Sequence, residues 1–369
     1  MHSRQRIIAI VATLAVAVIA CGPPIGKPAV GQVPNAPTVF DNADTSVLVV
    51  GTTWYMFGST NNMRVPVRIL SSPGGTLAQS QQAWAQHPRD AMPTMPAWVD
   101  PGESEIWAPN AININGTYFL YFAARHGGFA SDENNDQCIG RAGSATPEGP
   151  YAPEPAPIYC GGTPEGAIAG MPPSNSWGRG ALDPEVFRAP DGSLFLIAAV
   201  SRTQKNIVSL PLTPDGLVEG GVNAEGAVLA AQRLMWHDGV VDDQLGAEAF
   251  LENPSMIAEP LTGTYLLFYS AGQWYTPNYV TGIARCKKPT GPCTLAVDPF
   301  LINGNGRTGI GGLTAFTDET GGKWVAYASW QAGLENQVGS VGQYKRQTHL
   351  QRLLISVTDD PKEQEISLG

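Results

Sequence analysis

Three acidic residues begin short aromatic segments at widely separated points of the chain. Asp44 directly precedes Thr45 and Ser46, Asp183 lies in Leu182-Asp183-Pro184, and Glu252 lies in Leu251-Glu252-Asn253-Pro254. Carboxylates that are held close together raise the pKa of at least one of them, and a carboxyl with a raised pKa can act as a general acid at neutral pH. Taken singly, each residue is an ordinary cap or turn former. We predict acid–base chemistry if the fold brings all three together.

The segments that must position these acids have the length and composition of β-strands. Short runs of aromatic and β-branched residues alternate with Gly, Pro, Asn and Asp, and helical periodicity is almost absent. Hairpin turns are indicated at Asn115-Gly116, Asp191-Gly192 and Gly321-Gly322.

The strand-like segments recur as five units, which begin near Asp44, Trp107, Asp183, Glu252 and Gly309. Four-stranded units that stack radially form the blades of a propeller. We therefore predict an all-β fold, a five-bladed β-propeller that occupies residues 39–369 as one domain. The innermost strands of its blades converge on a central channel, so acids at equivalent strand starts would meet at one end of it.

Four short motifs, in order, resemble glycoside hydrolase family 43, the five-bladed arabinanases, arabinofuranosidases and β-xylosidases. The similarity runs from about residue 41 to about residue 360, and the following segments carry it: Asp44-Thr45-Ser46-Val47-Leu48 with Trp54-Tyr55, Ile106-Trp107-Ala108-Pro109 with Tyr118-Phe119-Leu120-Tyr121, Asp183-Pro184-Glu185-Val186-Phe187 with Asp191-Gly192, and Glu252-Asn253-Pro254. The resemblance implies that Asp44 is a general base, Asp183 tunes the pKa of the acid, and Glu252 is the general acid. It also implies inversion at the anomeric carbon, with the acid and the base ~6.5–9.5 Å apart.

The chain departs from the family pattern at two places. Thr45 stands where the family usually has proline, and Asp41 is close enough to Asp44 to be a rival base. Gly312, in Gly309-Ile310-Gly311-Gly312-Leu313-Thr314, stands where the family has a histidine that helps to hold a central metal or water cluster. This glycine argues against a calcium site, and no other cofactor is expected.

Three tryptophans are candidates for contact with substrate. Trp107, Trp177 and Trp274 lie in or beside predicted loops, where an aromatic face can stack on a sugar ring. The alternative is that these rings pack in the core or between blades. With a formal net charge of −10, the chain is not expected to bind nucleic acid, and a polysaccharide or oligosaccharide is the expected partner of a monomer.

The first residues read as an export signal. Arg4 and Arg6 precede an apolar run over residues 7–20, and Val18-Ile19-Ala20-Cys21 resembles a lipobox. We predict a signal peptide over residues 1–20, lipidation of Cys21, and a flexible Gly- and Pro-rich tether over residues 21–38. The protein would then be held at the cell envelope by its lipid alone; an ordinary signal peptide and free secretion are the alternative.

The other four cysteines fit an exported protein. Cys286 and Cys293 flank a short loop, so local closure is the simplest pairing and leaves Cys138 to pair with Cys160. Zinc is not expected, because the spacings lack paired C-x₂-C motifs.

Two other functions remain open at this point. One is a propeller that binds glycans but has lost catalysis, which Thr45 and Gly312 would favour. The other is an enzyme that acts on fructofuranosides, whose propellers share the architecture; the residues that precede Asp183 and follow Glu252 argue against it.

Overall fold

The computed structural model describes residues 31–71, 77–128, 137–161, 180–200, 206–222, 224, 226–231, 250–335, 346–356, 360 and 364–369. These residues form antiparallel β-strands, with two short 3-10 helices at Leu77–Gln79 and Gln81–Ala83. Short strands form because aromatic and β-branched residues alternate with tight turns that contain glycine, such as Asn115-Gly116, where both residues have positive φ.

The strands assemble into five sheets, the blades of a propeller. Blade 1 contains β2 (Ser46–Val50), β3 (Thr53–Phe57), β4 (Val67–Ser71) and β5 (Ala85–Gln86). Blade 2 contains β6 (Trp107–Ile114), β7 (Thr117–Arg125), β8 (Gln137–Ser144) and β9 (Ala152–Pro153). Blade 3 contains β10 (Ala181–Arg188), β11 (Leu194–Val200), β12 (Asn206–Leu212) and β13 (Ala227–Ala231). Blade 4 contains β14 (Phe250–Glu259), β15 (Thr264–Gly272), β16 (Val280–Cys286) and β17 (Cys293–Leu301).

Blade 5 joins the two ends of the described chain. It contains β18 (Arg307–Thr317), β19 (Lys323–Gln331), β20 (Gln347–Ile355) and β21 (Ile366–Leu368), and β1 (Thr38–Phe40) pairs with β20. This pairing closes the ring, because a strand from the N-terminal side completes the last blade. The predicted five-bladed β-propeller is confirmed.

The core is a ring of apolar contacts between neighbouring blades. Within the described ranges, each large cluster of buried residues joins two adjacent blades: blades 1 and 2, 2 and 3, 3 and 4, 4 and 5, and 5 and 1. Both faces of every sheet are therefore covered, which explains why the strands read as nearly continuous apolar runs. The inner edges of the blades are left to line the channel.

The tether predicted over residues 21–38 is wrong for its final part. The backbone of Gln32 bonds with Phe300 and Ile302, and its side chain bonds with the backbone of Ile366 and Leu368. Ala36 is buried, and Thr38 begins β1. The physical reason is that edge strands offer unpaired backbone groups: Gln32 bridges the outer strand of blade 4 at Leu301, and Thr38–Phe40 pair with β20 of blade 5. Residues 21–30, the predicted signal over residues 1–20 and Cys21 lie outside the described residues.

Both predicted disulfides form. Cys138 at β8 is bonded to Cys160, and Cys286 at the end of β16 is bonded to Cys293 at the start of β17. No helix in the part of the chain that the structure describes is long and apolar enough to span a membrane.

Candidate active site

One residue of each blade adopts a left-handed backbone conformation where the five inner strands converge. These residues form what we call the channel ring: Asp44 (φ 50°), Ala108 (φ 46°), Asp183 (φ 51°), Asn253 (φ 48°) and Gly312 (φ 62°). In β6, β10, β14 and β18 the pairing register with the next strand shifts at this point, as in a β-bulge. Strained residues of this kind persist where the surrounding structure holds them, and they are concentrated at functional sites.

The three predicted acids do not occupy equivalent positions. Asp44 and Asp183 belong to the channel ring, but Glu252 lies one residue before the ring position of blade 4, which Asn253 occupies. The expectation that all three would lie in register is therefore wrong for Glu252. The left-handed turn at Asn253 re-aims the chain, so both Glu252 and Asn253 face the same cleft.

A cleft of about 430 Å³ lies above the channel ring and is lined by Asp44, Asp183 and Glu252 together. The structure thus brings the three predicted acids to one place. Asp41, the rival base, is exposed, and its Oδ1 lies 3.4 Å from Gln347 Nε2. Other residues that line the cleft are Asn42, Ser59, Thr60, Asn61, Glu105, Arg125, Gln137, Leu182, Trp330 and Arg346.

Asp44 is oriented by its own blade and by blade 4, and Asp183 by blade 4. Ser59 Oγ donates to Asp44 Oδ2 at 2.9 Å and accepts from the backbone N–H of Ala108 at 2.9 Å. Asn253 Nδ2 lies 3.5 Å from Asp44 Oδ1, and the backbone N–H of Asn253 donates to Asp183 Oδ2 at 3.0 Å. Asn253 therefore contacts both acids of the ring.

Glu252 accepts a hydrogen bond from a buried tyrosine. Tyr279 Oη lies 2.8 Å from Glu252 Oε1, and burial, followed by the charge of Glu252, raises the pKa of Tyr279 well above its ordinary value. The phenol therefore keeps its proton and acts as a donor. The guanidinium of Arg346 lies 4.7 Å from the centre of the Tyr279 ring and donates to the carbonyls of Gly309 and Ala328 at 3.0 Å each.

Two of the three predicted tryptophans lie at the walls of the cleft. Trp107 is half-buried, and its Nε1 donates to Glu105 Oε2 at 3.0 Å. Trp274 is also half-buried and stacks on Trp330, with ring centres 6.2 Å apart and an interplanar angle of 21°. Trp177 lies outside the described residues.

The sequence reasoning missed Ser59, Trp330 and Arg346, which line the cleft. It also missed the buried Tyr279, which donates to Glu252. Ser59 follows the end of β3, and Trp330 lies near the end of β19. In an antiparallel blade the second strand ends at the rim where the first strand begins. A search of second-strand ends for polar and aromatic residues would therefore have found these two.

A narrow cavity of about 20 Å³, large enough for one water molecule, lies in the channel beside the ring. Glu185 lines it, and burial raises the pKa of this carboxyl to about 8 although the backbone N–H of Met256 donates to Oε1 at 2.7 Å. The channel does not fit a metal ion held by a fifth-blade histidine. A Cβ at Gly312 would already lie 3.3 Å from Asp44 Oδ1, and within the described ranges no three His, Cys, Asp or Glu side chains are grouped to hold a metal.

Known structures share this architecture. A thermostable family-43 glycoside hydrolase superimposes with a TM-score of 0.66 at 18% identity, over 91% of this chain and 96% of that chain. An exo-1,5-α-L-arabinanase from a bovine ruminal metagenomic library gives 0.63 at 17% identity, over 92% and 99%. The α-L-arabinanase of Cellvibrio cellulosa, in complex with arabinohexaose, gives 0.58 at 15% identity, over 89% and 96%. At these identities the likeness shows the fold.

Sequence comparison extends the likeness to the family. The xylosidase/arabinosidase 43A of Humicola insolens is 34% identical over 99 residues, which are 27% of this chain and 22% of that protein. The chain thus matches about a fifth of the length of that relative. The family model described as Glycosyl hydrolases family 43 matches residues 35–359, which include β1 to β20, the channel ring and all three acids. The chain therefore belongs to glycosyl hydrolases family 43.

Proposed function

We propose that this protein is an inverting glycoside hydrolase that acts on arabinofuranosyl- or xylosyl-containing glycans. Asp44 is the base, Asp183 modulates the pKa of the acid, and Glu252 is the acid. One observation supports this most directly: carboxylates from three different blades line a single cleft between the half-buried rings of Trp107 and Trp274. Aromatic walls around a few converging polar groups are typical of a site for a small ligand.

In the proposed reaction the sugar lies between the acid and the base. Glu252 gives its proton to the glycosidic oxygen as the bond from that oxygen to the anomeric carbon breaks. Asp44 takes a proton from a water molecule whose oxygen attacks the same carbon from the opposite face. Both carboxyl groups then return to their starting protonation states by exchange with solvent. Asp183 accepts a hydrogen bond from the backbone N–H of Asn253, the residue that follows the acid.

The substrate class is supported by what the relatives are named for. One relative is a xylosidase/arabinosidase, and one similar structure is an arabinanase with arabinohexaose bound. We therefore expect a pentose glycan. The neutral ring of such a sugar would stack on Trp107 or Trp274, while Arg346 and Asn61 offer hydrogen-bond donors at the cleft.

The test has two steps. The protein is first screened against 4-nitrophenyl α-L-arabinofuranoside, 4-nitrophenyl β-D-xyloside and arabinan, with sucrose as the fructofuranoside. The anomeric form of the first product is then read by NMR. Release of the inverted anomer from a pentoside is expected. Retention would refute the water-mediated mechanism, and binding of arabinan without turnover would favour the glycan-binding alternative.

We further propose that the protein is exported and anchored through a lipid on Cys21. The lipobox-like residues 18–21 support this, and the two disulfides suit an oxidising compartment. If Cys21 is lipidated, the protein partitions into a detergent phase and incorporates a fatty-acid label. A Cys21→Ala protein that stays equally membrane-bound would contradict the proposal.

A further inference from the structure

A chain of polar contacts connects the proposed acid with the proposed base. It runs from Glu252 Oε1 to Tyr279 Oη (2.8 Å), from Tyr279 Oη to Asn253 Oδ1 (2.6 Å), and from Asn253 Nδ2 to Asp44 Oδ1 (3.5 Å). Both intermediate residues are buried. Such a chain shields its contacts from competition with water, so each contact affects the next one.

The donors and acceptors of this chain are compatible in one arrangement. Tyr279 Oη can donate to the amide of Asn253 only if Oδ1 faces it, and the amide then turns Nδ2 toward the carboxylate of Asp44. The opposite amide orientation would place Oδ1 against that carboxylate, where two acceptors repel each other. The tyrosine hydroxyl therefore determines that the Nδ2 of Asn253, and not its Oδ1, points toward Asp44.

Tyr279 has one proton and two acceptors. A hydroxyl can donate fully to only one acceptor at a time, and a carboxylate is a stronger acceptor than an amide oxygen. When Glu252 is ionised, the hydroxyl turns toward it; when Glu252 holds its proton, the hydroxyl turns toward Asn253. This is a rotation of the O–H group and breaks no covalent bond.

The surroundings of Tyr279 keep it in this role. Ser270 contributes a side-chain hydrogen bond to the phenol, and its Oγ accepts from the backbone N–H of Gly312 at 2.8 Å. The charged groups that act on the phenol are Glu252, Arg346 and Asp44. Ser270 thus connects the hydroxyl to Gly312, the ring position of blade 5, while the hydroxyl donates its proton to Glu252 or Asn253 of blade 4.

We propose that Tyr279 and Asn253 are positioning residues that couple the acid Glu252 to the base Asp44. Through them, the protonation of Glu252 determines how firmly the Asn253 amide holds Asp44. Asn253 pulls Asp44 into place when Glu252 is protonated, which is the state that begins a turnover. This inference rests on the proposed function for the roles of the two acids, but the hydrogen-bond relay can be tested without turnover.

The direct test is an NMR titration of the Glu252 carboxyl in protein labelled with ¹³C at glutamate side chains, with Glu252→Gln used to assign the signal. Tyr279→Phe removes the donor to the carboxylate, so its titration midpoint should rise by roughly one pH unit, the size of one hydrogen bond to a charged group. Asn253→Gly removes the competing acceptor, and the midpoint should fall. Glycine suits the left-handed backbone there, so this variant remains informative if Tyr279→Phe folds poorly.

Tyr269→Phe is the matched control. Tyr269 is a buried tyrosine of the same blade, and its hydroxyl donates to Asp298 Oδ2 at 2.9 Å, away from the cleft. In this variant the titration midpoint of the Glu252 carboxyl should equal that of the wild type. An unchanged midpoint in Tyr279→Phe, or the same shift in both tyrosine variants, would overturn the relay.

Kinetics give a second readout on whichever 4-nitrophenyl glycoside the wild type cleaves. Tyr279→Phe should lower the maximal kcat/KM and move its basic limb to higher pH, because that limb reports loss of the proton of the acid. Simple structural damage would lower the rate and leave the limb in place. In the double variant, the loss of kcat/KM should be smaller than the product of the fold-losses in Tyr279→Phe and Asn253→Gly, because both substitutions break the same relay. Fully multiplicative losses would contradict the relay. If the wild type cleaves no glycoside, the proposed function fails, and the titration still decides the relay.

Discussion

At the scale of single residues, the three carboxylates differ in what donates to them. Asp44 accepts a hydrogen bond from a hydroxyl and faces a side-chain amide. Asp183 accepts one from a backbone N–H, and Glu252 accepts one from a phenol. Carboxyls with different partners can hold different protonation states at the same pH, which is what a separate acid and base require. Their roles can therefore be separated by substitution.

Glu252→Ala tests the acid. A poor leaving group needs the proton of the acid, whereas a dinitrophenolate leaves without one. We expect kcat/KM on arabinan to fall by ~10²–10⁴-fold while a dinitrophenyl glycoside retains much of its rate. The measurement compares reducing-sugar release with dinitrophenolate release. Equal losses on both substrates would contradict the assignment of Glu252 as the acid.

Asp44→Ala tests the base, with Asp41→Ala as its matched control. Attack by water needs the base whatever the leaving group is, so Asp44→Ala should lose ~10²–10⁴-fold on both kinds of substrate. Added azide should restore part of the rate and give a glycosyl azide, which NMR or mass spectrometry identifies. Asp41→Ala should keep kcat/KM close to that of the wild type, because Asp41 is exposed and accepts a hydrogen bond from Gln347. The reverse result would transfer the role to Asp41.

At the scale of strands, the channel ring determines where the acids lie. Each inner strand contributes one left-handed residue, and four of these strands shift register at that point. Aspartate, asparagine and glycine tolerate this conformation better than other residues do, and four of the five ring positions hold one of them. Ala108 is the exception, and its backbone N–H is held by Ser59 Oγ.

Gly312→Ala tests whether the ring geometry positions the base. The new Cβ would lie 3.3 Å from Asp44 Oδ1, so the carboxylate must shift. We expect activity to fall on the order of tenfold to a hundredfold, with ~1–2 kcal/mol lost from the free energy of unfolding. Gly51→Ala is the control: its φ is +55°, and a Cβ there meets nothing within 4 Å. It should lose similar stability and keep full activity; equal activity in both would contradict this role of the ring.

Glu185 predicts a pH dependence of stability. Burial raises its pKa to about 8, so the folded protein holds this proton at neutral pH while the unfolded chain has released it. The folded state then binds more protons than the unfolded state between the ordinary carboxyl pKa and about 8. The contribution of Glu185 is therefore fully present below that window and is lost as pH rises through it.

Glu185→Gln keeps the shape of the side chain and removes the titration. Urea unfolding at about pH 5 and about pH 8 should show a smaller fall in the free energy of unfolding for this variant than for the wild type. Glu365→Gln, at an exposed glutamate, should keep the wild-type dependence. Parallel curves for wild type and Glu185→Gln would show that Glu185 is already ionised in the folded protein.

At the scale of the whole molecule, ring closure also positions Asp44, the proposed base. β1 pairs with β20 through Thr38 with His349 and Phe40 with Thr348, and Thr348 Oγ1 then donates to the carbonyl of Asn42 at 2.8 Å. Asn42 lies two residues before Asp44. The strand that closes the propeller therefore leads directly into the site, so stability and activity depend on the same contact.

Val39→Asp tests this dependence. Val39 is 0% exposed in the cluster between blades 5 and 1, so the variant buries an unpaired charge and should lose at least about 3 kcal/mol of unfolding free energy, together with activity. Val33→Asp, at a side chain that is 43% exposed, is the control and should change little. Thermal melts followed by near-ultraviolet circular dichroism measure both. Equal melting temperatures for Val39→Asp and Val33→Asp would mean that β1 does not hold the ring together.

Local signals made much of this protein predictable from its sequence. Strand lengths, glycine turns and the repeated units indicated a five-bladed propeller, since these features depend on a few neighbouring residues. The Cys286–Cys293 pair followed from its short loop. Asp44, Asp183 and Glu252 could be named because each begins an inner strand.

Only the tertiary structure decided the exact site. The left-handed ring displaces Glu252 by one residue relative to Asp44 and Asp183, and a period-two pattern does not encode such a bulge. Residues 31–37 read as a tether because Gly and Pro favour open chain, yet Gln32 bonds with the outer strand of blade 4 and Ala36 is buried. Arg346 lines the cleft and the buried Tyr279 contacts Glu252 because distant segments pack together, and no local pattern marks either residue. The sequence alone therefore identified the candidate acids, and long-range strand pairing decided how they are held.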